Sequence, residues 1–319
     1  MILTLTLNPS LDRTIEIPEL LRGAMVRAGS TRLDPGGKGV NVARALAAHA
    51  LPTCAVVPRG GPEGRQLTEL LEEEGIDVCA VPVTAHTRSN VSLVEPDGEV
   101  TKINEPGGEL GADDLERIVK AVLDTAASAD WVVASGSLPP GVPETFYRDL
   151  GNRLTERGVS LAVDTSGPAL AASLAARPAL VKPNRDELAE FAGDQIDTLD
   201  DVVAAATAMR KAGAEAVLAS LGADGAVLVG TQGVRYGESP VDRGRSAVGA
   251  GDAMLAGYLA GGVTGGDALI EALAWGAAAV RLPGSRMPGP DDVDRTSVRV
   301  HASVELTRPL SSHGMEQTQ

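Results

Sequence analysis

Aromatic side chains are nearly missing from this sequence: 319 residues hold two Trp, three Tyr and two Phe. The core must then be built from Ala, Val and Leu, and the stacked platforms by which proteins hold unpaired bases have almost nothing to use. Positive charge is scarce as well. Against 43 Asp and Glu stand 28 Lys and Arg, a formal net charge of −15, whereas a protein that displaces counterions from a phosphate backbone needs a basic face. No nucleic-acid partner is expected, and any anionic ligand has to be met by cations placed one at a time. There are two cysteines. Cys54 and Cys79 lie in apolar, strand-like runs with no CxxC or Cys/His spacing, the setting of buried free thiols rather than of a metal or redox site. His49, His86, His301 and His313 lack metal-ligand spacing, and no GxSxG elbow marks a serine hydrolase. No apolar run reaches the ~18 residues of a membrane span. The opening MILTLTLNPSLDR has no basic region before its apolar stretch and turns polar at Asn8. Neither a secretory signal nor membrane association is expected, and a cytoplasmic location is.

What is present is ample material for a core: 43% of residues are hydrophobic and 22% charged. The length suits one large α/β domain over 1–319. Residues 2–7 read as a strand, followed by part-polar extended stretches at about 12–17 and 25–33. A Pro-Gly-Gly break at 35–37 precedes GKGVNVARALAAHA, where Val40, Ala43, Leu46 and Ala47 recur at helical spacing. Strand 55–57, the helix PEGRQLTELLEEEG and strand 76–83 continue the rhythm. It breaks at 89–104, where SNVSLVEP and EVTKIN alternate across Asp97-Gly98 as an inserted hairpin. Farther on, strands at 131–135, 160–164, 216–220 and 226–229 and a short LVKP strand end alternate with helices at 113–127, 143–157, 168–176, from Asn184, 200–212, 250–260 and 267–282. The strip 283–319, rich in Pro, Ser, Asp and Arg, reads as a wrapped loop, with 300–319 a disordered tail. This alternation argues an α/β fold, a doubly wound, mainly parallel sheet covered on both faces, with a small inserted β-sheet. Such folds bind ligands at the carboxyl ends of their strands.

Five strand-to-helix junctions there are rich in glycine or polar residues: NPSLD, PGGKGVN, GSLPPG, KPNRDE and VGAGDAMLAG. In the last, Gly249, Ala250 and Gly251 open a helix whose amides lack partners, which suits a transferring phosphoryl group, and Asp252 lies beside them. A plain capping Asp is the alternative, and the spacing is not GxGxxG. At PGGKGVN, Gly36 and Gly37 allow close backbone approach, while Lys38 and Asn41 project from the first turn. A cation at the positive end of a helix is locally unfavourable, so Lys38 points to an anion it must meet. Asn184 and Glu187 share one face of a helix start and could hold Mg²⁺ through its waters, or form a simple capping box. Gly222 and Gly225 in SLGADGAVLV could line a nucleotide or merely turn a hairpin. Arg27, Arg88, Asn90 and Lys102 sit on the suspected β element, where solvated surface is their plainest role.

In this order, NPSLD, GGKGVNVARAL, SGSLPPG, KPNRDEL, SLGADGA and VGAGDAMLAG resemble the ribokinase-like, or phosphofructokinase B, family of carbohydrate kinases over nearly the whole chain. The resemblance implies transfer of phosphate from ATP to a sugar phosphate. Fructose 1-phosphate is the foremost acceptor, tagatose 6-phosphate and fructose 6-phosphate are alternatives, and a silent sugar-phosphate sensor on the same fold is a further one. It implies Asp252 as catalytic base with Gly249, Ala250 and Gly251 as anion hole, and Asn184 and Glu187 organising Mg²⁺. Asp12, Gly37, Lys38, Asn41 and Asn90 would hold the sugar, and Arg27, Arg88 and Ser137 its phosphate. Lys182, Asn184, Ser220, Gly222 and Gly225 would line the ATP site. A monovalent cation is a candidate cofactor, although Ala247 stands where the family carries Thr. Strands near 12–33 and 89–104 would form a β lid that clasps a homodimer.

Overall fold

Strand residues that alternate between two apolar faces need helices on both sides, and the chain supplies them in sequence. The computed structural model describes residues 1–241, 244–262, 265–301 and 303–311. In chain order come β1 (Ile2–Leu5), β2 (Ser10–Glu16), β3 (Ser30–Gly36), α1 (Lys38–Ala48), β4 (Thr53–Arg59), α2 (Gly61–Glu73), β5 (Asp77–Pro82), β6 (Arg88–Val94) and β7 (Val100–Asn104). There follow α3 (Ala112–Thr125), β8 (Trp131–Ser135), α4 (Phe146–Thr155), β9 (Ser160–Asp164), α5 (Gly167–Ser173), β10 (Leu180–Val181), α6 (Arg185–Ala192), α7 (Leu199–Ala212) and β11 (Val217–Ser220). Last are β12 (Ala226–Gly230), β13 (Gly233–Glu238), α8 (Ala250–Ala260), α9 (Gly265–Arg281) and β14 (Arg299–His301).

Ten strands form one sheet in the order β14-β13-β12-β11-β10-β9-β8-β1-β4-β5. From β11 to β5 every neighbour is parallel, and β12, β13 and β14 continue it antiparallel. The period of two splits the core. Val132, Ala134, Val163, Val181 and Val217 face α3, α4, α6 and α7, whereas Val133, Ala162, Leu180 and Leu218 face α8 and α9. A third cluster joins Val40 and Ala43 of α1 to Leu67 and Leu71 of α2 across β4. The expected α/β, mainly parallel, doubly wound sheet is present.

The inserted element is a separate four-stranded sheet, β3-β2-β6-β7, in which β2 runs parallel to β6 and antiparallel to β3. Its register brings Asp12 opposite Asn90 and Ser10 opposite Arg88. The residues between its strands carry much exposed apolar surface: Leu20, Leu21 and Met25, with Val100 and Ile103 on β7 itself.

Two expectations need correction. The first is the tail at 300–319: β14 pairs with β13, Pro309 bridges Thr198, and Leu310 is buried, so apolar anchors and backbone pairing hold the described part in place. Residues 302 and 312–319 lie outside the described residues. The second is β14, which replaces part of the loop expected over 283–319, while β13 is a strand in a stretch where no element is expected. β14 is the edge strand and β13 lies between it and β12, and GVRYGE and RVH carry too few alternating apolar residues to be read as strands.

Candidate active site

Asp164 ends β9 and is completely buried, at the carboxyl edge of the parallel sheet. Its two oxygens go to two lysines. Lys38, the first residue of α1, places Nζ 2.7 Å from Oδ1, and Lys182, just past β10, places Nζ 3.1 Å from Oδ2. Lys38 also lies 3.4 Å from Glu187 Oε1. The anion required by a cation at a helix N-terminus is therefore inside the fold. Burial by itself would push Asp164 up, but Lys182 and Lys38 together hold its carboxyl below the usual range. Burial opposes the charge on Lys38, and Asp164 and Glu187 override it, raising its pKa.

Asp252 stands across from this cluster in the first turn of α8. Asn41, one turn into α1, donates from Nδ2 to Asp252 Oδ2 at 2.9 Å. Burial and the nearby charge of Asp164 push Asp252 up to about 6, against the opposing pull of Asn41, Lys38 and Lys182. Gly249 caps α8 in the left-handed region, with φ 76°, a conformation open to glycine at little cost. A Cβ at Gly251 would come 3.2 Å from Lys182 Nζ, so this lysine lies against the start of α8. The amides of Gly251 and Asp252 have no carbonyl one turn earlier within the helix. That of Ala250 already donates to Ala247 O at 3.3 Å. Of the expected anion hole, then, one amide belongs to the turn itself. Ser246 Oγ accepts from Val248 N at 3.2 Å and braces the loop beside Ala247.

On the side of the small sheet, Asp12 accepts from Ser10 Oγ at 2.6 Å and Asn90 Nδ2 at 2.9 Å. Gly36 faces it so closely that a Cβ would fall 2.3 Å from Asp12 Oδ2. Gly37, with φ 117°, turns the chain into α1. Arg88, half-buried, donates to Asn8 O and Glu105 O, and Asn8 Nδ2 donates to Ser137 Oγ at 3.2 Å. Burial lowers the Arg88 pKa. Arg27 is exposed, and no hydrogen bond or ion pair among the described residues joins it to this group.

On the other side, Asn184 and Glu187 do form a reciprocal capping box on α6: Asn184 Oδ1 accepts from Glu187 N at 2.8 Å, and Glu187 Oε2 from Asn184 N at 2.9 Å. Asn184 bridges to Ser220 at the end of β11. Gly222 and Gly225 flank a single 3-10 turn, and a Cβ at Gly225 would fall 2.1 Å from Gly237 O, so its smallness lets the turn pack on β13. Among the described residues no three His, Cys, Asp or Glu side chains form a metal cage. Mg²⁺ held mainly by substrate phosphates needs only one or two carboxylates and its own waters. Glu187 Oε1, 3.4 Å from Lys38 Nζ, and Asp164 Oδ2, 3.1 Å from Lys182 Nζ, are the two carboxylate oxygens placed to receive those waters.

The fold thus gathers Lys38, Asn41, Lys182, Asn184, Glu187 and Asp252 in one place and sets Asp12, Arg88 and Asn90 together at its rim. Lys38, expected among the sugar contacts, donates to Asp164 and Glu187. Asp164 was missed by the reading of motifs. Two signals could have found it: SLAVD ends a buried parallel strand in a carboxylate, and Lys38 lacked an anion.

Residues 6–288 match the model of the pfkB family of carbohydrate kinases. The 1-phosphofructokinase of Rhodobacter capsulatus is 38% identical over 270 residues, 83% of this chain and 85% of that protein. The ATP-dependent 6-phosphofructokinase isozyme 2 of Escherichia coli (strain K12) is 35% identical over 300 residues, 92% and 97% of the two chains. The crystal structure of phosphofructokinase-2 from Escherichia coli in complex with potassium superposes with a TM-score of 0.86 at 35% identity, covering 91% of this chain and 96% of that one.

Proposed function

The chain belongs to the pfkB family of carbohydrate kinases and is an ATP-dependent sugar-phosphate kinase; from that premise we propose that its acceptor is fructose 1-phosphate, converted to fructose 1,6-bisphosphate with Asp252 as the base. The observation that carries this reading is the Asp252 carboxylate, held by Asn41 through one oxygen at the mouth of a helix N-terminus and pushed up to about 6. Such an acid is ionised at neutral pH, yet basic enough to take the hydroxyl proton as the new O–P bond forms. In-line transfer asks the protein chiefly for position and charge. The amides of Gly251 and Asp252, with Lys182 beside them and Lys38 across from them, meet the developing negative charge in a setting already oriented for it. Asp12, Gly37 and Asn90 orient the sugar hydroxyls, and Arg88, Ser137 and Arg27 face its phosphate. Lys182, Asn184, Ser220, Gly222 and Gly225 line the nucleotide. Mg²⁺, when bound, neutralises phosphate charge, and Asn184, Glu187 and Asp164 would hold its waters.

Fructose 6-phosphate is the second acceptor to weigh, because the similarity to isozyme 2 extends over 92% of this chain. A coupled assay with ATP and fructose 1-phosphate, fructose 6-phosphate or tagatose 6-phosphate decides the matter. The highest kcat/KM is expected on fructose 1-phosphate; binding of a sugar phosphate without turnover on any of the three would replace the kinase with a sensor. We also assign a cytoplasmic homodimer joined through the small sheet, and a monovalent cation near the loop before α8, checked by exchanging potassium for tetramethylammonium.

A further inference from the structure

The last described stretch of chain, 303–311, lies beyond the residues that the family model matches. It does not simply end the fold. Leu199 N donates to Arg308 O, Asp200 N to Leu306 O and Leu310 N to Asp197 O, which lays the stretch along the start of α7. Arg308 pairs with Glu238 at 3.0 Å and stacks over the ring of Tyr236, 5.2 Å from its centroid. The Tyr236 hydroxyl donates to Asp224 O at 2.9 Å. Ser311 then takes hold of the Asp224 side chain twice, from N to Oδ2 at 2.8 Å and from Oγ to Oδ1 at 2.9 Å. On its other side, Ser311 O accepts from Arg185 Nη1 at 2.8 Å.

Asp224 belongs to the 3-10 turn between Gly222 and Gly225, and Arg185 directly follows Asn184. One residue therefore spans the two strand ends that the kinase reading gives to the nucleotide. A turn bounded by glycines, with φ 61° and 87°, loses much conformational freedom when a ligand fixes it. A turn already fixed spares the ligand that cost. Resting on the reading above, we propose that Ser311 and Asp224 are positioning residues for the nucleotide, holding the 222–225 turn and the start of α6 in their bound arrangement.

The test uses the full chain carrying Ser311→Ala, Asp224→Ala or both. Calorimetric ADP affinity and steady-state KM for ATP are read alongside kcat, KM for the sugar phosphate and the melting temperature. Each single variant is expected to weaken ADP binding and raise KM for ATP about threefold to tenfold, leaving kcat and sugar KM within about twofold. The double variant should match Asp224→Ala alone, because both bonds from Ser311 end on the Asp224 carboxylate. Unaltered ADP affinity in Ser311→Ala overturns the proposal, even if Asp224→Ala fails to fold, and so do fully additive effects or a fall in melting temperature alone. A parent chain that binds ADP but phosphorylates none of the three sugars would sink the kinase reading instead, while the affinity comparison still decides the role of Ser311.

Discussion

At the scale of single residues, the shared feature is charge placed out of water and therefore titrating away from its usual range. Asp252→Ala is expected to lower kcat by on the order of 10²- to 10⁴-fold, the worth of a positioned base, with small changes in either KM. In the parent enzyme, kcat/KM, which reports the free enzyme, should fall on the acid side with a midpoint near 6, where Asp252 takes up a proton; a midpoint near 4 would mean an exposed, ordinary carboxyl. The same elevation has a cost in stability. Because the folded value exceeds the ordinary 3.8, the fold binds this proton more tightly than the unfolded chain does, and stability from this group is lost as pH rises through that interval. Asp252→Asn should therefore melt above the parent at neutral pH, with the gap closing below about pH 4. Asp164 has the opposite sign. Its folded value is depressed, so its contribution is present above the ordinary carboxylate value and lost on acidification. Asp164→Asn, which strands a Lys182 only 4% exposed, is expected to cost on the order of 3–5 kcal/mol by denaturant titration at neutral pH. Asp252, Lys38 and Asn184 could be read as site residues because each breaks or decorates a local rule at a helix start. Asp164 was harder to read, since a carboxylate ending a strand is a weak signal by itself and the sheet is needed to set two lysines around it. The pairing of Asn41 with Asp252, residues 211 positions apart, was hidden for the same reason.

Elements were read well where periodicity was long. β8 and β9 fall on the expected residues, and the starts of α1, α3, α7 and α8 are within one residue of their glycine or cap signals. β14 escaped because an edge strand needs no continuous apolar face, and β13, although paired on both sides, because GVRYGE has too few alternating apolar residues to show the period of two. Helix starts also carry testable energies. Thr198 caps α7 in a reciprocal box with Asp201, so Thr198→Ala should cost about 1 kcal/mol by denaturant titration without altering kcat. Gly249→Ala differs in kind. At φ 76° the left-handed geometry costs an L-residue roughly 1–2 kcal/mol, and the new Cβ would lie 2.4 Å from Met287 Cε. Met287 can swing its terminal methyl aside, whereas the left-handed backbone stays strained and perturbs the loop before α8, so kcat should fall severalfold while the overall fold survives by circular dichroism; unchanged kcat would remove this loop from the chemistry.

For the whole molecule, the exposed Leu20, Leu21, Met25, Val100 and Ile103 cluster on the small sheet and its connection, more apolar surface than a lone β element usually leaves in water. Ile103→Glu is accordingly expected to convert a dimer into monomers by sedimentation; an unchanged sedimentation coefficient would place the subunit contact elsewhere. Lys38 and Lys182 spend their charge on Asp164 and Glu187 inside the protein, so the exterior retains a field set by the excess of acids. Two anionic reactants approaching such a body are slowed in the bulk and captured only at short range. Moderate ionic strength shortens the reach of that repulsion, with a Debye length of ~8 Å at 0.15 M. This enzyme should therefore gain kcat/KM as salt is first added, the reverse of catalysts that draw their substrates in by long-range attraction.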